Sequence, residues 1–244
     1  MKCLILAAGY ATRLYPLTEN FPKPLLKVKG KKILDWLIDD MESSGEIDEY
    51  IVISNHKFVG HFESWASERA QKITVVDDGT STNETRLGAV MDIQFAIEKL
   101  CLDDDMLVVA GDNLLDFSLT KFISYAKYKN ASCIMRYYES NSQKLLKCGV
   151  VTIDENDRIT EMTEKSPTPA TNWCTPAFYY YTKDDAKLVQ NAIDAGCGVD
   201  APGSFIAWLC KQTDVYAMEM PGKRYDIGNL ESYENVQKEY MGIC

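Results

Sequence analysis

The sequence predicts an α/β fold with three layers, α/β/α, around a mostly parallel central sheet. Three observations carry that expectation. Short apolar runs rich in β-branched residues recur at 3–6, 50–53, 73–76 and 106–110, as strands buried on both faces do. Between them lie segments with apolar residues at helical spacing, and strands alternating with helices argue for a parallel sheet covered on both sides. With 244 residues, 46% of them hydrophobic, the chain can bury a full core, so residues 1–244 read as a single domain.

Residues 3–6 form the first predicted strand, and Ala7, Ala8 and Gly9 its exit loop. Small residues let backbone N–H groups approach a ligand closely, which suits phosphate oxygens. Arg13 and Lys23 follow and supply positive charge. Ile33, Leu34, Leu37, Ile38 and Met41 recur at helical spacing, with Gly45 as the stop. Residues 50–53 predict a strand and 56–69 a helix. His56 and His61, the only histidines, receive no role, since a histidine after a strand is more often structural than catalytic.

The strand at 73–76 runs into the polar loop 77–86, and Leu87 to Leu100 continue with helical spacing. The strand at 106–110 ends in Gly111-Asp112-Asn113, which puts an aspartate where ligands bind in open α/β sheets. A helix at 119–127 and a strand at 131–138 come next. A hairpin is expected with Asp154-Glu155-Asn156-Asp157 turning between 150–153 and 158–162. Residues 173–181 predict one aromatic strand, 186–195 a helix, 203–209 a helix after Pro202, and 215–220 a strand. Residues 225–233 close the chain, which shows no repeat, low-complexity tract or linker.

The net charge of −10 argues against a nucleic-acid or anionic-membrane partner. The first 32 residues nevertheless hold seven Lys or Arg against Glu19 alone, a balance that suits a small polyanion bound there. Lys27, Lys29, Lys31 and Lys32 read as a solvated turn. Eight cysteines without a Cys-x-x-Cys pair read as reduced core residues of a cytosolic protein, with no zinc site. The first apolar run is too short for a signal peptide and no later run reaches a membrane span, so a cytoplasmic protein is expected.

Residues 5–26, from Ile-Leu-Ala-Ala-Gly-Tyr-Ala-Thr-Arg-Leu-Tyr-Pro-Leu-Thr to Pro-Lys-Pro-Leu-Leu, resemble the signature loop of the nucleotidyltransferases that activate sugar 1-phosphates, the glucose-1-phosphate thymidylyltransferase and mannose-1-phosphate guanylyltransferase group. Ala11 stands where that loop has its second glycine. The resemblance extends to Gly88-Ala89, to Gly111-Asp112-Asn113, to Gly149-Val150-Val151 with Glu164-Lys165, and to Asp226-Ile227-Gly228 followed by Glu231-Ser232-Tyr233. It departs at Glu84-Thr85-Arg86-Leu87, at Cys148, at Ser166 and at Pro176-Ala177.

The resemblance implies a Rossmann-like fold of the nucleotide-diphospho-sugar transferase type, without the carboxy-terminal repeat domain of longer relatives. It implies that Leu6, Ala8, Gly9, Thr12, Arg13, Lys23 and Gly88 hold a nucleoside triphosphate, with Arg13 and Lys23 stabilising charge during transfer. Arg86 either reaches a phosphate or pairs with Glu84. Asp112 and Asp226 would bind Mg2+, and Asn113, Gly149, Glu164, Lys165, Thr175 and Tyr179 the phosphorylated acceptor. The implied reaction moves a nucleoside monophosphate to a sugar 1-phosphate and releases pyrophosphate. A cytidylyltransferase acting on phosphocholine or a phosphonate is the nearest alternative, and a non-catalytic nucleotide-binding subunit the alternative of another class. A dehydrogenase is excluded, because the loop lacks Gly-x-Gly-x-x-Gly and carries an arginine and a lysine instead.

Overall fold

The computed structural model describes residues 1–243; Cys244, one of the cysteines read as core, lies outside them. In chain order the elements begin β1 (Lys2–Leu6), β2 (Lys27–Val28), β3 (Lys31–Lys32), α1 (Ile33–Glu42), β4 (Glu49–Ser54), α2 (Val59–Ser67), β5 (Ile73–Asp77) and α3 (Ala89–Leu100). There follow β6 (Met106–Ala110), β7 (Leu114–Leu115), α4 (Thr120–Lys129), β8 (Ser132–Tyr138), α5 (Ser142–Leu145), β9 (Gly149–Ile153), β10 (Ile159–Glu164) and β11 (Trp173–Thr175). The last are β12 (Phe178–Tyr181), α6 (Lys183–Ala186), α7 (Val189–Asp194), α8 (Gly203–Leu209), β13 (Val215–Glu219), β14 (Arg224–Tyr225) and α9 (Leu230–Glu239). The chain divides into two compact units: one holds Met1–Arg86, Ala110–Lys121 and the chain from Pro221 on, the other Leu87–Val109 and Phe122–Met220.

In the first unit β4 lies between β1 and β5, and both pairings are parallel. Cys3, Leu4, Ile5, Ile51, Val52 and Ile53 are completely buried, as the continuous apolar runs anticipated. All five apolar positions of α1 are buried, and Gly45 beyond its end takes a positive φ of 66°, which glycine adopts without a steric penalty. The helix expected from residue 56 starts at Val59. Asn55 delays it: its buried side chain accepts the Phe58 N–H at 3.0 Å and donates to the Ala8 carbonyl at 2.8 Å, tying the first loop to the end of β4.

Short elements absent from the sequence reading complete this unit. Lys29 and Gly30 both take positive φ in the two-residue turn of the β2–β3 hairpin, as primed hairpin turns require. β14 pairs antiparallel with β7. Asn229 and Ser232 form a capping box at the start of α9, each satisfying an N–H that the helix leaves free. Leu14, Val28, Ile33, Leu114, Ile227, Val236 and Tyr240 share one buried cluster, which anchors the first loop, β7 and α9 together.

In the second unit β12 lies between β6 and β8, antiparallel to both. β8 also pairs parallel with β13 and antiparallel with β11, and β11 continues antiparallel to β9. The expected hairpin is β9–β10. The single strand expected at 173–181 is two strands, because Pro176 has no N–H for a ladder; the Phe178 N–H turns back to the Pro176 carbonyl at 2.8 Å. The helix expected at 186–195 is α7, shortened to Val189–Asp194, and a separate short helix, α6, precedes it with its first turn capped by the Thr182 side chain. Each unit is of the expected α/β class, with strands flanked by helices.

Only part of the cysteine reading survives: Cys3, Cys133 and Cys174 are buried, Cys101 is exposed, and Cys148, Cys197 and Cys210 are half-buried, all as free thiols. Cys101 is outside the core because it occupies the left-handed cap after α3. No described helix is long and apolar enough to cross a membrane.

Candidate active site

The first unit carries a cavity of about 230 Å3 lined by Leu6, Gly9, Ala11, Arg13, Lys23, Asp112, Ile227 and Gly228, among others. β1 delivers the chain to its wall. Beyond Leu6, the Ala7 N–H bonds the Ile53 carbonyl at 2.9 Å, and Ala8 is held by Asn55. Ala11 has left-handed backbone, φ 47° and ψ 42°, a conformation that costs an L-residue roughly 1–2 kcal/mol and glycine little. The loop accepts this because two bonds converge on the Ala11 carbonyl, from Thr18 Oγ1 at 2.8 Å and the Leu14 N–H at 2.9 Å. The turn Thr12–Leu14 then presents Arg13, which no hydrogen bond or ion pair engages among the described residues.

Lys23 stands between Pro22 and Pro24 in a single 3-10 turn. Its side chain is 9% exposed, and Nζ donates to Asp112 Oδ2 at 2.6 Å. Desolvation pushes the Asp112 carboxyl up, but the Lys23 charge and hydrogen bond, helped by Arg224, outweigh it and hold the group below the ordinary carboxylate range. Asp112 therefore remains an anion. Gly111, just before it, has a packing reason for lacking a side chain: a Cβ would lie 2.9 Å from Ile5 Cγ2. Its N–H bonds the Leu6 carbonyl at 2.9 Å, which fixes Asp112 beside the end of β1.

Asp226 lies one residue before the cavity-lining Ile227-Gly228 and is 71% exposed. Arg224, which the sequence reading did not single out, links the two aspartates. Nη1 lies 3.4 Å from Asn113 Oδ1 and 3.8 Å from Asp226 Oδ1, and its charge reaches Asp112. The run Lys223-Arg224-Tyr225-Asp226 was its only trace in the sequence. Asn113, expected on the acceptor side, is buried and donates to the Ala110 carbonyl at 3.0 Å; it braces the turn that carries Asp112. Arg86 is exposed and bonds the Asn83 carbonyl and side chain, at 3.2 and 3.3 Å.

The second unit gathers the other expected residues. A Cβ on Gly149 would lie 2.7 Å from Glu164 Oε1 and 2.6 Å from Thr175 Oγ1, and one on Gly203 only 1.8 Å from Glu164 Oε1. Two glycines thus make room for one carboxylate. Burial pushes Glu164 up to about 7, against the opposing charge of Lys165. Tyr179 is buried, and desolvation together with Glu164 raises its hydroxyl well above the ordinary range. Lys165 is half exposed and pairs with Asp200 at 3.2 Å. Gly88 sits elsewhere in this unit, where a Cβ would meet the Val199 carbonyl oxygen at 2.6 Å, so packing alone demands glycine there.

The family model described as nucleotidyl transferase matches residues 2–242. The chain belongs to the nucleotidyl transferase family. A bifunctional protein GlmU of Methanocaldococcus jannaschii is 28% identical over 232 residues, covering 93% of this chain and 51% of the relative. A glucose-1-phosphate adenylyltransferase of Fervidobacterium nodosum is 25% identical over 253 residues, covering 98% and 60%. The chain spans 51–64% of the length of these and similar curated relatives. A UDP-glucose pyrophosphorylase solved with UDP-glucose superposes with a TM-score of 0.81 at 19% identity, covering 98% of this chain and 97% of that one, which shows that the nucleotidyl transferase fold is shared.

Proposed function

We propose that this nucleotidyl transferase moves a nucleoside monophosphate from a nucleoside triphosphate to a sugar 1-phosphate and releases pyrophosphate. The observation that carries the reading is the buried Lys23 paired with Asp112 at 2.6 Å, in a cavity that also holds the uncommitted Arg13. An acceptor phosphate oxygen attacks the α-phosphorus in line; the new P–O bond forms as the bond to the β-phosphate oxygen breaks, and pyrophosphate leaves with that oxygen. The reaction needs positioning and neutralisation of charge rather than a covalent nucleophile. Arg13 and Lys23 neutralise the triphosphate, while the small loop from Ala7 to Gly9 admits it close to backbone N–H groups.

Asp112 and Asp226 fit Mg2+, which favours hard oxygen ligands and completes its shell with water and phosphate oxygens. Asp112 is kept anionic and is 43% exposed, and Asp226 is more open still. No cluster of three or more His, Cys, Asp or Glu suited to a metal exists among the described residues. When bound, the ion would offset charge on the phosphates. In the second unit, Glu164 accepts a hydroxyl of the sugar and Lys165 orients its phosphate. Names of relatives support a sugar 1-phosphate acceptor: glucose 1-phosphate stands in that of the Fervidobacterium protein.

A panel of nucleoside triphosphates against hexose 1-phosphates, phosphocholine and a phosphonate, scored by pyrophosphate release, tests the reading. Release with a hexose 1-phosphate is expected. Release with phosphocholine or the phosphonate alone would replace the acceptor, and no release with any pair would overturn the assignment.

A further inference from the structure

Side chains from neighbouring strands of the second unit bring two thiols together. β11 lies between β8 and β9, with Cys174 directly opposite Tyr137 on one side and Val150 on the other. Residues directly opposite in an antiparallel pair share a face of the sheet, so Tyr137, Val150 and Cys174 do. Cys148, two positions before Val150, packs against the same cluster. Tyr137 Oη lies 3.6 Å from Cys148 Sγ, and the Cys148 and Cys174 thiols hydrogen-bond each other.

The two thiols differ in access. Cys174 is completely buried and Cys148 half-buried. The Cys148 hydrogen bond and burial push the Cys174 thiol up, so it keeps its proton. Cys148 is open to a small oxidant, with a hydroxyl beside it able to donate to a thiolate. An accessible thiol backed by a second one is the arrangement of redox-sensing cysteines.

Both cysteines adjoin residues of the proposed acceptor side. Gly149 follows Cys148 and Thr175 follows Cys174, and Thr175 Oγ1 donates to the Gly149 carbonyl at 3.3 Å. The Cys148 carbonyl accepts the Lys165 N–H at 3.0 Å. A Cβ on Gly149 would already crowd Glu164 Oε1 at 2.7 Å, so this backbone has little room to move without disturbing the carboxylate. Pulling Cys148 toward Cys174 shifts Gly149, and through the Cys148 carbonyl it shifts Lys165.

We propose that Cys148 and Cys174 form a redox switch, which a peroxide closes to a disulfide that weakens binding of the acceptor. The Cys148 sulfur attacks one peroxide oxygen; the O–O bond breaks and the other oxygen leaves as water with the proton that the thiol gave up, leaving a sulfenic acid. The Cys174 sulfur then attacks the Cys148 sulfur, and the displaced hydroxyl takes the Cys174 proton and leaves as a second water. Two electrons pass from the sulfurs to the peroxide, and a dithiol reductant returns them. The effect on the acceptor rests on the proposed function; formation of the disulfide does not.

The test treats the wild type, Cys148→Ser and Cys174→Ala with dilute hydrogen peroxide and then with dithiothreitol. Peptide mass mapping follows the thiols, steady-state kinetics the acceptor KM, and equilibrium binding the triphosphate. In the wild type a Cys148–Cys174 disulfide should form and acceptor KM rise at least about tenfold, as sub-ångström to ångström displacements of positioning groups produce, with triphosphate affinity unchanged and both changes reversed by the dithiol. Neither variant should respond; if Cys174→Ala does not fold by circular dichroism, Cys148→Ser carries the comparison alone. No Cys148–Cys174 disulfide, a disulfide with unchanged acceptor KM, or the same rise in the variants would overturn the proposal and leave the transferase reading standing. Absence of turnover with every acceptor, before any oxidation, would overturn the transferase reading and with it the effect on the acceptor, while mass mapping would still decide the disulfide.

Discussion

The two units differ in how far they bury the cations of their candidate sites: Lys23 and Arg224 are largely sheltered, Lys165 is half exposed. In the first, the buried Lys23 meets the part-exposed Asp112 at 2.6 Å, and the half-buried Arg224 sits 3.8 Å from the exposed Asp226, so each expected metal-binding carboxylate has a cation beside it that is itself sheltered. In the second, Lys165 and Asp200 meet at 3.2 Å with more than half of each side chain exposed, and Glu164 is held near neutrality by burial. Sheltered, paired charges keep their geometry before a ligand arrives, whereas exposed pairs contribute little and rearrange easily. On the proposed function, the pair anchored by buried Lys23 would be set in advance for the triphosphate, and the exposed Lys165–Asp200 pair free to adjust to the acceptor.

The largest effect that would sharpen this contrast is at Lys23. Lys23→Met removes the cation from Asp112 and from the triphosphate together, and kcat should fall about 100- to 1000-fold, whereas Lys165→Met should act chiefly on the KM for the acceptor. Steady-state kinetics for both substrates separate the two; equal effects on both KM values would erase the distinction.

Next in size is the titration of Glu164. Its carboxyl is raised from 4.5 to about 7 by burial, so the folded protein holds a proton that the unfolded chain releases. That favours folding fully below about pH 4.5, and the benefit is lost as pH rises through 7, by on the order of 3 kcal/mol. Glu164→Gln should therefore flatten the decline in thermal stability between these pH values. It should also abolish the rise in acceptor KM expected below pH 7, where the protonated carboxyl no longer accepts from a sugar hydroxyl. A wild-type melting temperature that does not change across this range would show that Glu164 titrates normally.

Gly203→Ala should be milder. The new Cβ would meet Glu164 Oε1, and the clash is expected to cost about 1–3 kcal/mol in urea unfolding and to raise acceptor KM without changing affinity for the triphosphate. The smallest effect is Ala11→Gly, which relieves the left-handed backbone at φ 47°. Part of that gain is offset by the freer unfolded chain, so stabilisation within about 1 kcal/mol is expected.

The sequence made the first unit legible because its pieces are local. The apolar run of β1 and the spacing of Ile33, Leu34, Leu37, Ile38 and Met41 predicted buried elements directly, and the resemblance of the signature loop pointed to Lys23 and Asp112 as functional residues. Arg224 escaped because its significance depends on β14 pairing with β7, two strands of two residues each, too short for any periodicity. In the second unit Pro176 was visible but its consequence was not, since an aromatic strand on either side reads as continuous until each half finds separate partners. The room that Gly149 and Gly203 make for Glu164 joins residues far apart in the chain, which no local pattern encodes.

The most direct test of the account is Asp112→Asn, compared with wild type for equilibrium binding of the preferred triphosphate and for pyrophosphate release with a hexose 1-phosphate. The account predicts triphosphate binding within a few-fold of wild type and release reduced about 100-fold or more. Release at the wild-type rate would contradict it.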